Sequence, residues 1–178
     1  MLKKAAALLL VCASMGTWVG CGTTASRYLY VAIPASSEIL AYREDPNAGV
    51  LTQLVGSPIT AGQAVQALAI HPSKKFLYAA NSGTTPSGTV SLFTISSAGA
   101  LTEVTPRATV GTAPTLMAMD PAGAYLYVGN SGSFDISVFS IDASKGTLTP
   151  VVQQNGTRQA LDCLPSTWCF RPRAAHCL

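Results

Sequence analysis

From Arg27 onward the chain alternates apolar and polar residues in short runs, which Gly, Pro, Asn and Ser separate. β-Branched and aromatic residues fill the runs, and no sustained helical period appears after Cys21. Both features predict strands rather than helices. The runs recur. Leu29-Tyr30, Leu77-Tyr78 and Leu126-Tyr127 stand 48 and 49 residues apart. His71-Pro72 and Asp120-Pro121, and Asn81-Ser82-Gly83 and Asn130-Ser131-Gly132, repeat at 49. Val90–Ile95 matches Ile136–Ile141 at 46, and the shortfall falls in the loop 84–88, where an insertion costs little. Leu51-Thr52, Leu101-Thr102 and Leu148-Thr149 give a third register at 50 and 47.

Each repeat reads as four short strands. In the second repeat these are about Lys75–Ala80, Thr89–Ile95, Leu101–Val104 and Thr115–Met119. The run Val90-Ser-Leu-Phe-Thr-Ile95 carries apolar residues on both faces, read as a slip of the alternation by one position. A sheet packed between two neighbours produces such a run. Four strands every 46 to 50 residues, covered on both faces, indicate blades of an all-β propeller. The expected blades are 27–72, 73–121 and 122–152, the last incomplete.

Residues 1–20 read as an export signal. Lys3 and Lys4 form a positive start, and Ala5–Ala13 an apolar stretch too short to span a membrane. Trp18-Val-Gly-Cys21 resembles a bacterial lipobox, with a small residue before the Cys whose thiol accepts the lipid, although Trp18 stands where Leu is usual. Cys21 is therefore the expected lipidation site, 21–26 a linker, and the membrane a partner reached through the lipid. Ordinary secretion and an uncleaved anchor remain open. Gly22, rather than Asp, favours the outer membrane.

Asp120-Pro-Ala-Gly-Ala-Tyr-Leu-Tyr-Val-Gly-Asn130, Ile136-Ser-Val-Phe-Ser-Ile-Asp142 and Gly146-Thr-Leu-Thr-Pro150 resemble the repeat of the lactonase-family seven-bladed propellers, which include the propeller type of 6-phosphogluconolactonase. His71–Asn81 and Gly56-Ser57-Pro58 are similar to the same repeat. The resemblance covers about 27–152. It implies a central cleft lined by Arg, His and carboxylate groups from several blades, none of which maps residue by residue onto this chain. A seven-bladed ring needs roughly 340 residues. The 178 residues here supply about three blades, so the chain is expected to be a piece of the fold with unsealed ends.

The tail, 153–178, breaks the pattern. Residues 27–152 hold no Cys or Trp, whereas Cys163, Cys169, Cys177 and Trp168 follow Asn155. One account is a shifted reading frame. With CGA for Arg171, a +1 shift turns Cys169-Phe-Arg-Pro172 into Ala- or Val-Phe-Asp-Pro, matching Ala118–Pro121, 51 residues earlier. A genuine Cys-rich segment and an assembly error are the rivals. The Cys spacings of six and eight suit zinc poorly, and two of the three can pair after export.

Composition narrows function by exclusion. Lysine and arginine number 11 against 8 acidic residues, and two of the net three charges lie in the signal. No basic cluster tracks a phosphate backbone, which disfavours nucleic acid as a partner. No GxSxG, HExxH, P-loop or CxxC occurs, and no cofactor or metal is expected. His71, Asn81 and Asn130 read as turn and strand-end residues, and Arg107, near Glu103, as a loop charge that can face the channel. Three functions remain: a piece of propeller without its own catalysis, a sugar-lactone hydrolase, and a surface propeller that binds a ligand or protein.

Overall fold

A computed structural model describes residues 27–83 and 86–151. The expected export signal at 1–20, Cys21, Cys163, Cys169 and Cys177 lie outside the described residues. Among those described there are twelve strands and no helix. The fold is all-β, a partial propeller of three antiparallel sheets.

The first sheet holds β1 (Arg27–Ile33), β2 (Glu38–Glu44), β3 (Leu51–Gln53) and β4 (Ile59–Thr60). β3 and β4 share one edge of β2, against Tyr42–Glu44 and Glu38–Ile39 respectively. The second sheet runs β5 (Val65–Ile70), β6 (Phe76–Asn81), β7 (Thr89–Ile95), β8 (Leu101–Thr109). The third runs β9 (Pro114–Met119), β10 (Tyr125–Asn130), β11 (Asp135–Ile141), β12 (Leu148–Pro150).

The blade boundaries differ from those expected. Pro114–Met119 does not close the second sheet; it opens the third, pairing with β10 from Leu126↔Met119 to Asn130↔Pro114. The true sheets span 27–60, 65–109 and 114–150. The reason lies in the connections. The Asp120–Ala124 turn, with Gly123 at φ 74°, folds β9 back onto β10. The link 110–113 instead crosses between sheets. Gly111 N–H donates to Ser137 Oγ on β11 at 3.3 Å and Thr112 N–H to Ser133 Oγ in the β10–β11 turn at 3.0 Å, both belonging to the third sheet's chain segment.

The alternation in β7 does not slip. Phe93 and Ile95 pack with Tyr30, Ile39, Leu68 and Leu77 between the first and second sheets. Val90 and Leu92 pack with Tyr78, Leu126, Val128 and Phe139 between the second and third. Strict period-2 alternation on a strand buried on both faces makes every position apolar or small, which reads as a phase slip along the sequence. The second sheet is thus the fully covered one, and all six residues of β6 are buried. The sheets fan outward from an inner end where β5 lies against β9 and β1, while β8 forms the far edge beyond β7.

Candidate functional site

Polar side chains gather at the end of the sheets where the links cross. Asn81 closes β6 and is fully buried; its Nδ2 donates to Thr89 Oγ1 at 3.1 Å and Ser91 Oγ at 3.0 Å on β7. Asn130 closes β10, and its Nδ2 donates to Asp135 Oδ1 at 2.8 Å and Ser137 Oγ at 2.9 Å. Ser133 Oγ adds a hydrogen bond to Asp135 Oδ1 at 2.7 Å. These asparagines therefore donate across to the neighbouring strand rather than accept within their own turn. Glycine backbones pass directly over both: a Cβ on Gly62 would collide with Asn81, and one on Gly111 with Asn130. The Oδ1 atoms of Asn81 and Asn130 are buried and have no hydrogen-bond partner among the described residues. The arrangement clamps each crossing link to the sheet beneath it.

His71 sits at the opposite end, in the turn after β5, and is buried. Its Nδ1 accepts the Ser73 backbone N–H at 3.1 Å, so Nε2 carries a proton and donates to the Gly123 carbonyl at 3.0 Å. The ring meets Phe76 edge-on at 5.8 Å between centroids. His71 thus joins the turn of the second sheet to that of the third. Both ring nitrogens are committed, which leaves none for proton transfer to a ligand.

Arg107 lies on β8, not in a loop, and at the far edge from the inner strands. It grips Glu103 through Nε at 2.7 Å and Nη2 at 3.1 Å. Burial alone would raise the Glu103 carboxyl, but hydrogen bonds from Arg107 and Ser91 and the Arg107 charge hold it below its ordinary value. This pair fastens a strand edge and does not face a channel.

The inner strands are chemically plain. β5 reads Val-Gln-Ala-Leu-Ala-Ile and β9 Pro-Thr-Leu-Met-Ala-Met, with no carboxylate, imidazole or amine. Among the described residues no three His, Cys, Asp or Glu side chains converge to hold a metal.

The residues that sequence reasoning missed are tyrosines. Tyr30 Oη donates to the Gly99 carbonyl at 2.8 Å, and Tyr78 Oη to the Gly146 carbonyl at 2.7 Å, each reaching into the next sheet. Gly99 and Gly146 sit in the turns before β8 and β12 at φ 79° and 71°. The signal was present as the repeat of Tyr30, Tyr78 and Tyr127 alongside Gly49, Gly99 and Gly146. Its pairing, which skips from one repeat to the far turn of the next, was not.

Residues 21–164 match the family described as Lactonase, 7-bladed beta-propeller. The chain belongs to that family. The match runs past the compositional break at Asn155. A search of curated proteins finds no match. Solved structures agree on the fold. A Lactobacillus plantarum protein is 26% identical with a TM-score of 0.60 over 70% of this chain and 37% of its own. A Bacteroides fragilis protein put forward as a 6-phosphogluconolactonase is 25% identical, also at 0.60, over 70% and 34%. The periplasmic gluconolactonase of Pseudomonas aeruginosa is 24% identical at 0.61, over 71% and 36%. The chain spans about a third of the length of these three structures.

Proposed function

We propose that this chain is a three-blade section of a lactonase-family propeller, exported and held at a membrane by lipid on Cys21, which does not hydrolyse lactones by itself. Opening a lactone requires a group to activate water and donors aimed at the developing oxyanion. The observation that carries the reading is the chemistry of β5 and β9. These strands form the narrow inner end of the fan, where the family's cleft is expected, and they offer only Gln66 and Thr115 as polar side chains. His71, at the end of β5, is held by Ser73 and Gly123. The lipid anchor is supported by Lys3, Lys4, the apolar 5–13 stretch and the small residue before Cys21. The family match begins at that cysteine.

The second reading is sugar-lactone hydrolysis, favoured by the name given to the Bacteroides fragilis relative. A gluconolactone hydrolysis assay on the purified chain separates the two. The expected rate equals the spontaneous one. Turnover well above it, lost on replacing a polar residue of the described sheets, would establish the hydrolase.

A further inference from the structure

Two exposed valines mark the outer rim of the first sheet. Val50 ends the turn between β2 and β3, and Val55 stands in the turn after β3; they are 57% and 100% exposed. The repeat supplies a comparison for each. In the register of Leu51, Leu101 and Leu148, Val50 corresponds to Ala100 and Thr147, and Val55 to Thr105. The Tyr28 and Phe76 rings of the preceding sheets cover Gly99 and Gly146, yet Ala100 and Thr147 beside those glycines stay exposed. Thr105 is exposed as well, on a sheet with a neighbour on either side. These positions therefore face outward whether or not a sheet is covered. Among the described residues only the first sheet places valine at them.

Closed turns hold both valines out. The Asp45 N–H donates to the Val50 carbonyl at 2.9 Å. The Ser57 N–H donates to the Leu54 carbonyl at 3.1 Å, and Ser57 Oγ accepts the Ala41 N–H at 2.9 Å. Leu54 packs on the core between the first and second sheets, which turns Val55 outward. The charges near Val50 balance. Arg27 pairs with Glu44 at 3.8 Å, Asp45 Oδ1 accepts the Asn47 and Ala48 N–H groups at 2.8 and 3.3 Å, and Arg43 is exposed. Two cations thus offset two carboxylates at this corner.

The corner is also where the chain enters the fold. Arg27 opens β1 opposite Glu44, and Glu44 stands opposite Leu51, the neighbour of Val50. Cys21 precedes Arg27 by six residues. Fully extended, six residues reach at most about 20 Å. We infer that the outer rim of the first sheet rests on a lipid bilayer, with Val50 and Val55 set among the headgroups and upper acyl chains; this rests on the lipid anchor proposed at Cys21. Two valines bury too little apolar surface to bind a free chain to a membrane. A short tether makes the contact intramolecular, so a weak contact is populated. Because the corner carries no net charge, zwitterionic lipid suffices. The crossing links beside Asn81 and Asn130 lie at the opposite end of the sheets and stay clear of the bilayer.

The test uses the chain purified from membranes and returned to phosphatidylcholine vesicles, with and without lipid brominated on its acyl chains. Mass spectrometry of the N-terminal peptide first reads the acyl group on Cys21. With Trp168→Phe, and Trp18 removed with the signal, Val50→Trp, Val55→Trp and Thr105→Trp each introduce a single reporter. Val50→Trp and Val55→Trp should emit further to the blue in vesicles than in detergent-free buffer after delipidation, and brominated lipid should quench them, at low and high salt alike. Thr105→Trp, at the same rim position one sheet away, should show neither effect. An acylated chain whose reporters at 50 and 55 escape quenching would overturn the contact and leave the anchor standing. A blue shift without quenching would mean that protein covers the rim, and would overturn it too. Equal quenching at 105 would remove the assignment to the first sheet. A Cys21 without an acyl group would overturn both the anchor and the inference built on it.

Discussion

The hydroxyl of Tyr78 donates to the carbonyl of Gly146 at 2.7 Å, across the gap between two sheets and 68 residues along the chain. Both residues are buried. Phe76, two positions earlier, lies over the same glycine. The contact repeats one blade earlier as Tyr30 and Gly99. One aromatic pair on β6 thus fixes the turn that leads into the outer strand of the next sheet, and it sets the spacing between the sheets.

Tyr78→Phe should lower stability by about 1–3 kcal/mol, because it leaves a buried carbonyl without a donor while keeping the ring. Urea unfolding of the two proteins measures this. A difference near zero would mean that water replaces the phenol, and that the contact is not what joins the sheets.

Gly146→Ala should cost more than Gly49→Ala. Both glycines sit at positive φ, where a Cβ costs roughly 1–2 kcal/mol. Only Gly146 has a ring pressed against it, so its substitution adds a collision with Phe76. Parallel unfolding curves at dilution compare the two directly. Equal losses would show that packing at the turn contributes nothing.

Alkaline pH should weaken the fold in a defined window. Burial, with nearby Tyr28 adding to it, pushes the Tyr30 phenol up to about 12 from an ordinary 10.0, and burial raises Tyr78 well above the same value. Above pH 10 the unfolded chain releases these protons and the folded chain keeps them. Their contribution is therefore complete below pH 10 and is lost as pH rises toward and past 12. Stability measured between pH 8 and 12 should stay level and then fall. Tyr78→Phe should flatten the fall.

Arg107→Ala should change stability by less than about 1 kcal/mol, since its ion pair with Glu103 lies on an edge strand and is partly open to solvent. The effect should shrink further in high salt. A large loss would show that the pair does more than fasten a solvent-screened edge.

Cys21→Ser should abolish incorporation of labelled palmitate by cells expressing the chain. Labelling that survives the substitution would remove Cys21 as the anchor.

Much of this protein was legible in its sequence because the relevant physics is local. A strand with period-2 alternation between Gly- and Asn-rich turns declares itself within a short window, and the return of Leu29-Tyr30 as Leu77-Tyr78 and Leu126-Tyr127 declares the blade. The residues carrying the repeat, from Leu29-Tyr30 to Asn130, lie where the pattern placed them. The partition into sheets was not legible. Pro114–Met119 looks the same whether it ends one blade or begins the next, and only the hydrogen bonds of the 110–113 link and the Asp120–Ala124 turn assign it. Nor could the sequence say what its few polar side chains do, and it left the catalytic residues unassigned. His71, Asn81 and Arg107 carry groups suited to binding or proton transfer. What a side chain does depends on its neighbours, however, and these are committed to Gly123, Ser91 and Glu103. The sequence by itself determined the kind of unit and its spacing. Only the tertiary structure decided which residues meet across sheets, because contacts such as Tyr78 with Gly146 leave no periodic trace along the chain.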